Sequence, residues 1–566
     1  MQTTPRSETD IRINYFDPKK IISASNNIVA SGQQTIFYST NGGSTWAQSQ
    51  LPFTSPDGFH SDPTVDWTSD GRAWSSTLGI NGNNLTMRIY YSTDNGATWT
   101  LDATPSASQT SVDKQMVWVD HSASSPYFNQ QYAIWHNGNP CYMNRRTAGA
   151  GGTWLAAPIQ VSGAESTGQT IGSDVKTNSS GDVFGFWPTT TNRKLFVTKS
   201  INGGSSFGTP VQIASTFDSY DIGVPAFNNR RALIYISGGC YRNAVKNLVY
   251  ASWADLSGES GCTVASNEPG SSVAKTCKTR IWFSRSTDGG TTWKTPYMLN
   301  NLPGLNDQFN QWMAVDEKTG AIGIMYYDTK DDAGRKKTSV YYQHSFDDGI
   351  TWDTAQRVTS ATTDETISSA DGGNQYGDYN GLSSYAGILF PSWTDRRNAA
   401  KEEVWTVKIS DPAPTRICQG SNAFFNSGVT AGGTTYQWQV NIGAGYVNIG
   451  NTAIYSGATA DTLKVNVPPT SWYGYKYRCF INNSSYGPEY TLKFIANWIG
   501  TTSVSWTTLS NWGCGVLPDA NTDVIIGAGA SNYPQLLADA SCGSLTIMPG
   551  GTVTVKNGIK LTVTRK

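Results

Sequence analysis

Seven aspartates recur through residues 1–410, each opening a segment in which apolar and polar residues alternate: Asp10, Asp62, Asp113, Asp174, Asp221, Asp307 and Asp378. Four share a spacing to an aromatic residue, as Asp10-x4-Tyr15, Asp62-x4-Trp67, Asp113-x4-Trp118 and Asp307-x4-Trp312. Alternation of this kind is the mark of a β-strand with one face buried. If such strands are gathered side by side, their carboxylates converge, and like charges at close range raise one another's pKa or take up a cation. Three chemistries follow. The acids cap turns and are solvated; or they hold a hard cation such as Ca²⁺, for which Asp174 and Asp221 are the candidates; or they perform acid/base work on a glycan. For the last, Asp62, Asp113, Asp307 and Asp378 are the candidate catalytic acids, and Tyr327 is a candidate nucleophile beside its competing reading as a strand-packing residue. His60 and Tyr379 flank two of the acids without being repeated, which marks them as rim contacts to a substrate. Arg12, on the same strand face as Asp10, Lys114, and Arg396 and Arg397 in Trp393-Thr-Asp-Arg-Arg are the candidate cationic contacts.

Convergence needs a scaffold, and a second repeat supplies one. The frame Ser-x-Asp-x-Gly-x-Thr-Trp is complete at Ser92–Trp99, Ser286–Trp293 and Ser345–Trp352. It has Asn41 for Asp in Ser39–Trp46, Phe207 for Trp in Ser200–Phe207, and only its Gly-x-Thr-Trp end in Thr147–Trp154. As a hairpin loop it is self-consistent: Ser and Asp oxygens accept backbone N–H groups, Gly takes positive φ, and Trp tucks into a neighbouring layer. The frame resembles the Asp box, or BNR repeat, of sialidase-like β-propellers. The resemblance implies a wheel of four-stranded blades, with the first strand of each lining a central channel. The acids start blades at intervals of about 50 residues, longer late in the chain, so seven blades are favoured over six. Second strands are expected at Lys20–Ala24, Arg72–Ser76, Gln131–Trp135, Val183–Trp187, Ala232–Ile236, Ile322–Tyr327 and Ile388–Trp393, with a long insertion at about Gly238–Lys278.

Members of the sialidase family grip a substrate carboxylate with three Arg, use a Tyr–Glu pair as nucleophile and an Asp as acid/base. Here Arg12 resembles the first of those Arg in placement, but the local sequence is Asp10-Ile-Arg-Ile-Asn rather than Phe-Arg-Ile-Pro. No arginine triad emerges and no Glu stands beside a candidate Tyr. The function read from the sequence is therefore a carbohydrate-recognising propeller, as a glycoside hydrolase or polysaccharide lyase if it is an enzyme, with a non-catalytic surface adhesin as the alternative.

Composition fits an all-β protein rich in tight turns, with 57 Gly, 12% aromatic and 15% charged residues among 566. A formal net charge of −1 carries no footprint for nucleic acid. No apolar run is long enough to span a membrane. The N-terminal Met-Gln-Thr-Thr lacks a basic segment followed by an apolar one, so an export signal is expected to lie outside this sequence. Eight Cys without a Cys-x-x-Cys point to disulfides and a secreted or cell-surface protein. Cys262 and Cys277 lie in the long insertion. After the linker Asp411-Pro-Ala-Pro-Thr, residues 411–495 resemble an immunoglobulin-like sandwich, with Cys418, Trp438 and Cys479 in order and Tyr477 two residues before the second Cys. Residues 496–566, rich in Trp and Gly, resemble modules near the C-termini of large secreted Bacteroidetes proteins; a Cys514–Cys542 bridge is expected, as is further protein beyond Lys566.

Overall fold

A computed structural model describes residues 3–29, 32–166, 169–244, 246–263, 268–270, 276–301, 303–398, 400–410, 415–427, 434–483, 485–527, 530–547 and 551–565. The linker at 411–414 and parts of the long insertion lie outside the described residues. The chain divides into two compact units, one of residues 1–385 and 389–409, the other of residues 386–388 and 410–566.

The first unit is a seven-bladed propeller of antiparallel sheets. Its inner strands are Arg6–Ile13, Phe59–Trp67, Val112–Val119, Asp174–Thr177, Ile236–Arg242, Gln308–Val315 and Gly381–Tyr385, numbered here as blades 1 to 7. Each inner strand touches the next, and the seventh touches the first, so the ring closes. The inner strands are buried almost throughout, although they carry many polar and charged side chains, which must therefore find partners at the hub. At the hub, side chains reach across from blade to blade to satisfy backbone N–H groups. Asp10 accepts Val65 N–H at 2.9 Å, Asp66 accepts Val119 N–H at 2.7 Å, and Asp174 accepts Gly238 N–H at 2.8 Å. Ser237 accepts Met313 N–H at 3.1 Å and Ser383 accepts Ile13 N–H at 3.0 Å, the latter closing the wheel.

The repeated loop performs the matching task outside. In five copies the Ser hydroxyl accepts the N–H of a Gly four residues on, at 2.8–3.0 Å: Gly43, Gly96, Gly204, Gly290 and Gly349. Its Trp then reaches the fourth strand of the preceding blade: Trp99 donates to Ser49, Trp154 to Asp102 and Trp352 to Tyr297.

Blade 5 departs from expectation. Asp221–Ile222 and Ala232–Leu233 form a separate two-stranded hairpin inserted before the blade, not its first two strands. The inner strand is Ile-Ser-Gly-Gly-Cys-Tyr-Arg, which carries two Gly and no acid and so reads as a loop. Gly238 and Cys240 are therefore in a strand, Asn247–Leu256 is the second strand, and the insertion shrinks to the following loop, tied by Cys262–Cys277.

In the second unit, Tyr436–Asn441, Lys476–Ile481 and the 14-residue strand Ser485–Trp498 form one face of the sandwich, with Thr415–Ile417 parallel to the last. Ala423–Asn426, Thr462–Val465 and Tyr455–Ser456 form the other. The expected Cys418–Cys479 bridge is absent: Cys418 precedes the strand that faces Trp438, and Phe425 stands there instead, 6.3 Å from Trp438 and stacked at 4.5 Å on Tyr477. Tyr477 is accordingly a core residue. Cys418 pairs with Cys514, and Cys479 and Cys542 are buried free thiols, so the Cys514–Cys542 bridge is absent too. The long strand runs on past the sandwich, pairing in parallel with Thr522–Ile526, which pairs with Ser544–Ile547. With the parallel pairs Gln535–Leu536/Thr554–Val555 and Ala540–Cys542/Leu561–Val563, this makes a short β-helix-like stack over Trp498, Trp506 and Trp512.

Thiol titration of the denatured, unreduced protein should count four free cysteines. Cys514→Ser should lower the unfolding free energy of the second unit by about 2–4 kcal/mol, read by calorimetry, with the propeller transition unmoved.

Candidate functional site

One level of the hub is built differently from the rest. In blades 1, 2, 3 and 6 the inner strand bulges at Glu8, Asp62, Lys114 and Asn310, each followed at once by a break in register. All four have left-handed φ, at 49°, 56°, 49° and 46°. That conformation costs a non-glycine residue about 1–3 kcal/mol and concentrates at functional sites. Each bulge residue sits two positions before regular pairing resumes or before the cross-blade acceptor of its strand. By the same count, or four before the acceptor where that is Ser383, the level continues as Gly172, Tyr235 and Tyr379. A Cβ on Gly172 would lie 2.1 Å from the Tyr235 ring, which explains glycine there. The result is a ring of Glu8, Asp62, Lys114, Gly172, Tyr235, Asn310 and Tyr379 above the cross-blade bonds.

The ring is tightly coupled. Lys114 Nζ lies 3.0 Å from the Tyr379 ring centroid and 5.3 Å from that of Tyr235. Asn26 donates to Glu8 at 2.5 Å, Ser61 donates to Asp62 at 2.8 Å, and Tyr379 donates to Pro63 O at 3.2 Å. Asp378 donates its N–H to Glu8 at 3.1 Å, and its carboxylate pairs with Arg230. Burial, then Glu8 and Asp113, push Asp62 well above the ordinary carboxylate range. Burial raises Glu8 as well, against Arg230 and Lys114. Asp113 goes the other way: burial would raise it, but His136, at 3.6 Å, and Lys114 outweigh that and hold it low. Burial brings Lys114 down to about 8, although Asp62 and Glu8 favour its charge. Two carboxyl groups are thus shifted toward the acid form beside a third held as the ion.

Two insertions meet beside the ring. The hairpin before blade 5 carries Arg230, whose N–H and guanidinium meet Gln375 and Gly373 from the segment before blade 7. Phe227 packs between Phe309 and Tyr376 at 5.1 and 5.0 Å and fixes the two together. The far end of the hub is filled by charge pairs: Arg12 lies 4.8 Å over Trp118 and 3.7 Å from Asp66, and Lys176 pairs with Asp174. His121 bridges Asp66 at 2.9 Å and Glu317 at 3.3 Å. The remaining cavity is about 20 Å³, room for little more than a water.

Of the sequence candidates, Asp62, Lys114 and Tyr379 belong to the ring, and Asp113 and Asp378 border it. The others do not meet there. Asp307 is buried in a bidentate pair with Arg335, at 2.7 and 2.9 Å. Tyr327 is core, donating to Thr394 O at 2.6 Å. His60 is wedged between blades against Phe53, and burial lowers its pKa to about 4. Arg396 pairs with Glu402, and Arg397 with Asp395 under cover of Trp405. Arg12 belongs to the far plug. Asp174 and Asp221 are apart, paired with Lys176 and Arg231. Among the described residues no group of three or more His, Cys, Asp or Glu is disposed to hold a metal ion. Sequence reasoning missed Glu8, Arg230, Tyr235 and His136; Glu8 had a signal, as an acid in the first alternating segment.

Residues 497–566 match a family described as a domain of unknown function (DUF8693). No curated protein matches the chain. Among solved structures, similarity extends to the NanB sialidase of Streptococcus pneumoniae, at 10% identity and a TM-score of 0.38 over 58% of this chain and 66% of that one. The chain thus spans just under two thirds of NanB's length. The BP39L lectin of Burkholderia pseudomallei is similar at 10% identity and 0.45, over 71% and 96%. The intramolecular trans-sialidase of Ruminococcus gnavus is similar at 11% and 0.40, over 61% and 94%.

The far plug has a testable electrostatic signature. Burial opposes charge on His121, but Asp66 and Glu317 win and raise its pKa from 6.5 to about 10. A pKa raised on folding stabilises fully below the unfolded value and ceases to do so as pH climbs through the folded one. His121→Gln should therefore be less stable than the parent at pH 6.5, with the gap in thermal midpoint closing as pH approaches about 10. At the ring, Asp62→Gly should raise stability by about 1–3 kcal/mol, because glycine accepts the left-handed φ without strain.

Proposed function

We propose that the propeller is a sialidase-like, carbohydrate-recognising head of a secreted or cell-surface protein, and that a sugar enters the hub at the bulge ring. The observation that carries this reading is the row of four non-glycine residues held in left-handed backbone at one level of the hub. Strain kept at matching positions of four blades turns Glu8, Asp62 and Lys114 toward each other, and the fold alone does not require it. The ring offers carboxyl, amide and ammonium groups between two tyrosine faces, the mix that fixes hydroxyl-bearing rings. The far end of the hub is filled and the ring residues are themselves buried, so a sugar would reach the ring from one side only, which suits the end of a chain rather than its middle. Two disulfides agree with an oxidising compartment.

Cleavage is a second reading with its own support. Asp62 is pushed toward the acid form while Asp113 is held as the ion, the division of roles that glycoside hydrolysis needs. Asp62 would protonate the leaving oxygen, with Asp113 as base or nucleophile. An adhesin that binds without cutting uses the same ring and omits that step.

A glycan array run beside a reducing-sugar assay separates these outcomes. Asp62→Asn and Asp113→Asn should weaken binding by about tenfold or more, ~1.4 kcal/mol. Asp307→Asn should instead cost about 3–5 kcal/mol of stability, leaving the binding of the folded fraction unchanged. Binding without release removes the enzyme; release that survives Asp62→Asn places the chemistry elsewhere.

A further inference from the structure

The ring also carries information about which sugar it takes, and this step rests on the glycan reading above. We propose that the glycan bound at the hub bears a free amine, as an amino sugar whose nitrogen is not acetylated.

Glu8, Asp62, Asp113 and Asp378 meet at the ring against Lys114 and Arg230, with His136 beside Asp113. One level below, Asp10 and Asp174 also face Lys114, each with a cation of its own in Arg12 and Lys176. Lys114 and Arg230 offset two of the four carboxyl groups, so ionisation of Glu8 or Asp62 leaves the ring negative, a charge that a cationic ligand offsets and a carboxylated sugar would add to.

A separate observation concerns unmet hydrogen bonds. Asn26 Oδ1 and Gln115 Oε1 are buried and have no hydrogen-bond partner among the described residues. Both amides border the ring: the Asn26 amide nitrogen donates to Glu8 and to Ser61, and that of Gln115 donates to Asp62 O. What is unmet is acceptor capacity. An ammonium supplies three donors and a positive charge with no acceptor of its own; a hydroxyl supplies one donor and no charge. The ring already shows that it tolerates an ammonium, since Lys114 rests on the Tyr379 face with Tyr235 alongside. An N-acetyl group would remove the charge and add a carbonyl acceptor beside acceptors.

Protons then balance simply. Burial raises both Glu8 and Asp62 toward the protonated form; an ammonium beside either favours its ionised form, so a proton held there leaves to solvent and no covalent bond changes.

The test is titration calorimetry on the full chain with short fully deacetylated glucosamine oligosaccharides, their N-acetylated counterparts and uronate oligosaccharides, each in two buffers of different ionisation enthalpy. Deacetylated oligosaccharides should bind at least about tenfold tighter than acetylated ones and release protons on binding. Glu8→Gln and Asp62→Asn should erase that preference and the proton release; circular dichroism establishes that each variant is folded, and proton release in the unaltered protein needs no variant. Tighter binding of acetylated or uronate oligosaccharides would overturn the amine and leave the glycan reading standing. Preference for the amine that survives both substitutions would overturn its assignment to the ring. Absence of binding by all three classes, with none on the array, would overturn both readings.

Discussion

A wheel of sheets sets one constraint at its hub. Inner strands converge where there is little water and no further strand to pair with, so their axis-facing N–H groups must be satisfied by side chains from the next blade. Asp10, Asp66, Asp174, Ser237 and Ser383 meet that demand, linking blades 1 to 2, 2 to 3, 4 to 5, 5 to 6 and 7 to 1. A carboxylate at the beginning of an inner strand is thus first a structural acceptor. Chemistry becomes available one level higher, where the bulges interrupt pairing and turn Glu8, Asp62, Lys114 and Asn310 toward the hub axis.

Much of the fold was legible because turn chemistry repeats with the blades. Ser, Asp, Gly and Trp at fixed offsets each satisfy a local requirement, and those requirements hold wherever a third strand returns to a fourth. Six of the seven blades could be located this way or by their opening acids. Blade 5 was hidden because its inner strand lacks both an acid and an alternating pattern. The site was only half legible, for a reason of phase. Asp10 and Asp174 lie at the level of the cross-blade bonds, Asp62 at the ring, Asp113 and Asp378 just before ring residues, and Asp307 outside the hub with Arg335. A bulge shifts register by one residue, and nothing in a single sequence announces where it falls. Arg230 was invisible for another reason, since it arrives on an inserted hairpin rather than on a repeated strand.

The cysteines teach a similar lesson. Order along the chain suggested a sandwich pinned through its core, but the gap from Cys418 to Trp438 leaves room for a further strand, and Phe425 on that strand fills the core with an aromatic stack. Packing of Phe425, Trp438 and Tyr477 does the work of a cross-link. That leaves Cys418 at the sandwich edge, where it meets Cys514 of the Trp-rich stack.

Such a bond changes how the chain responds to being pulled. Cys418 and Cys514 are 96 residues apart in sequence, and every sandwich strand but Thr415–Ile417 lies in the loop between them. Tension entering from the propeller side leaves the backbone at Cys418, crosses the sulfur bridge and rejoins it at Cys514. The intervening domain feels no stretch while the bridge is intact, and reduction would at once place it in series with the force.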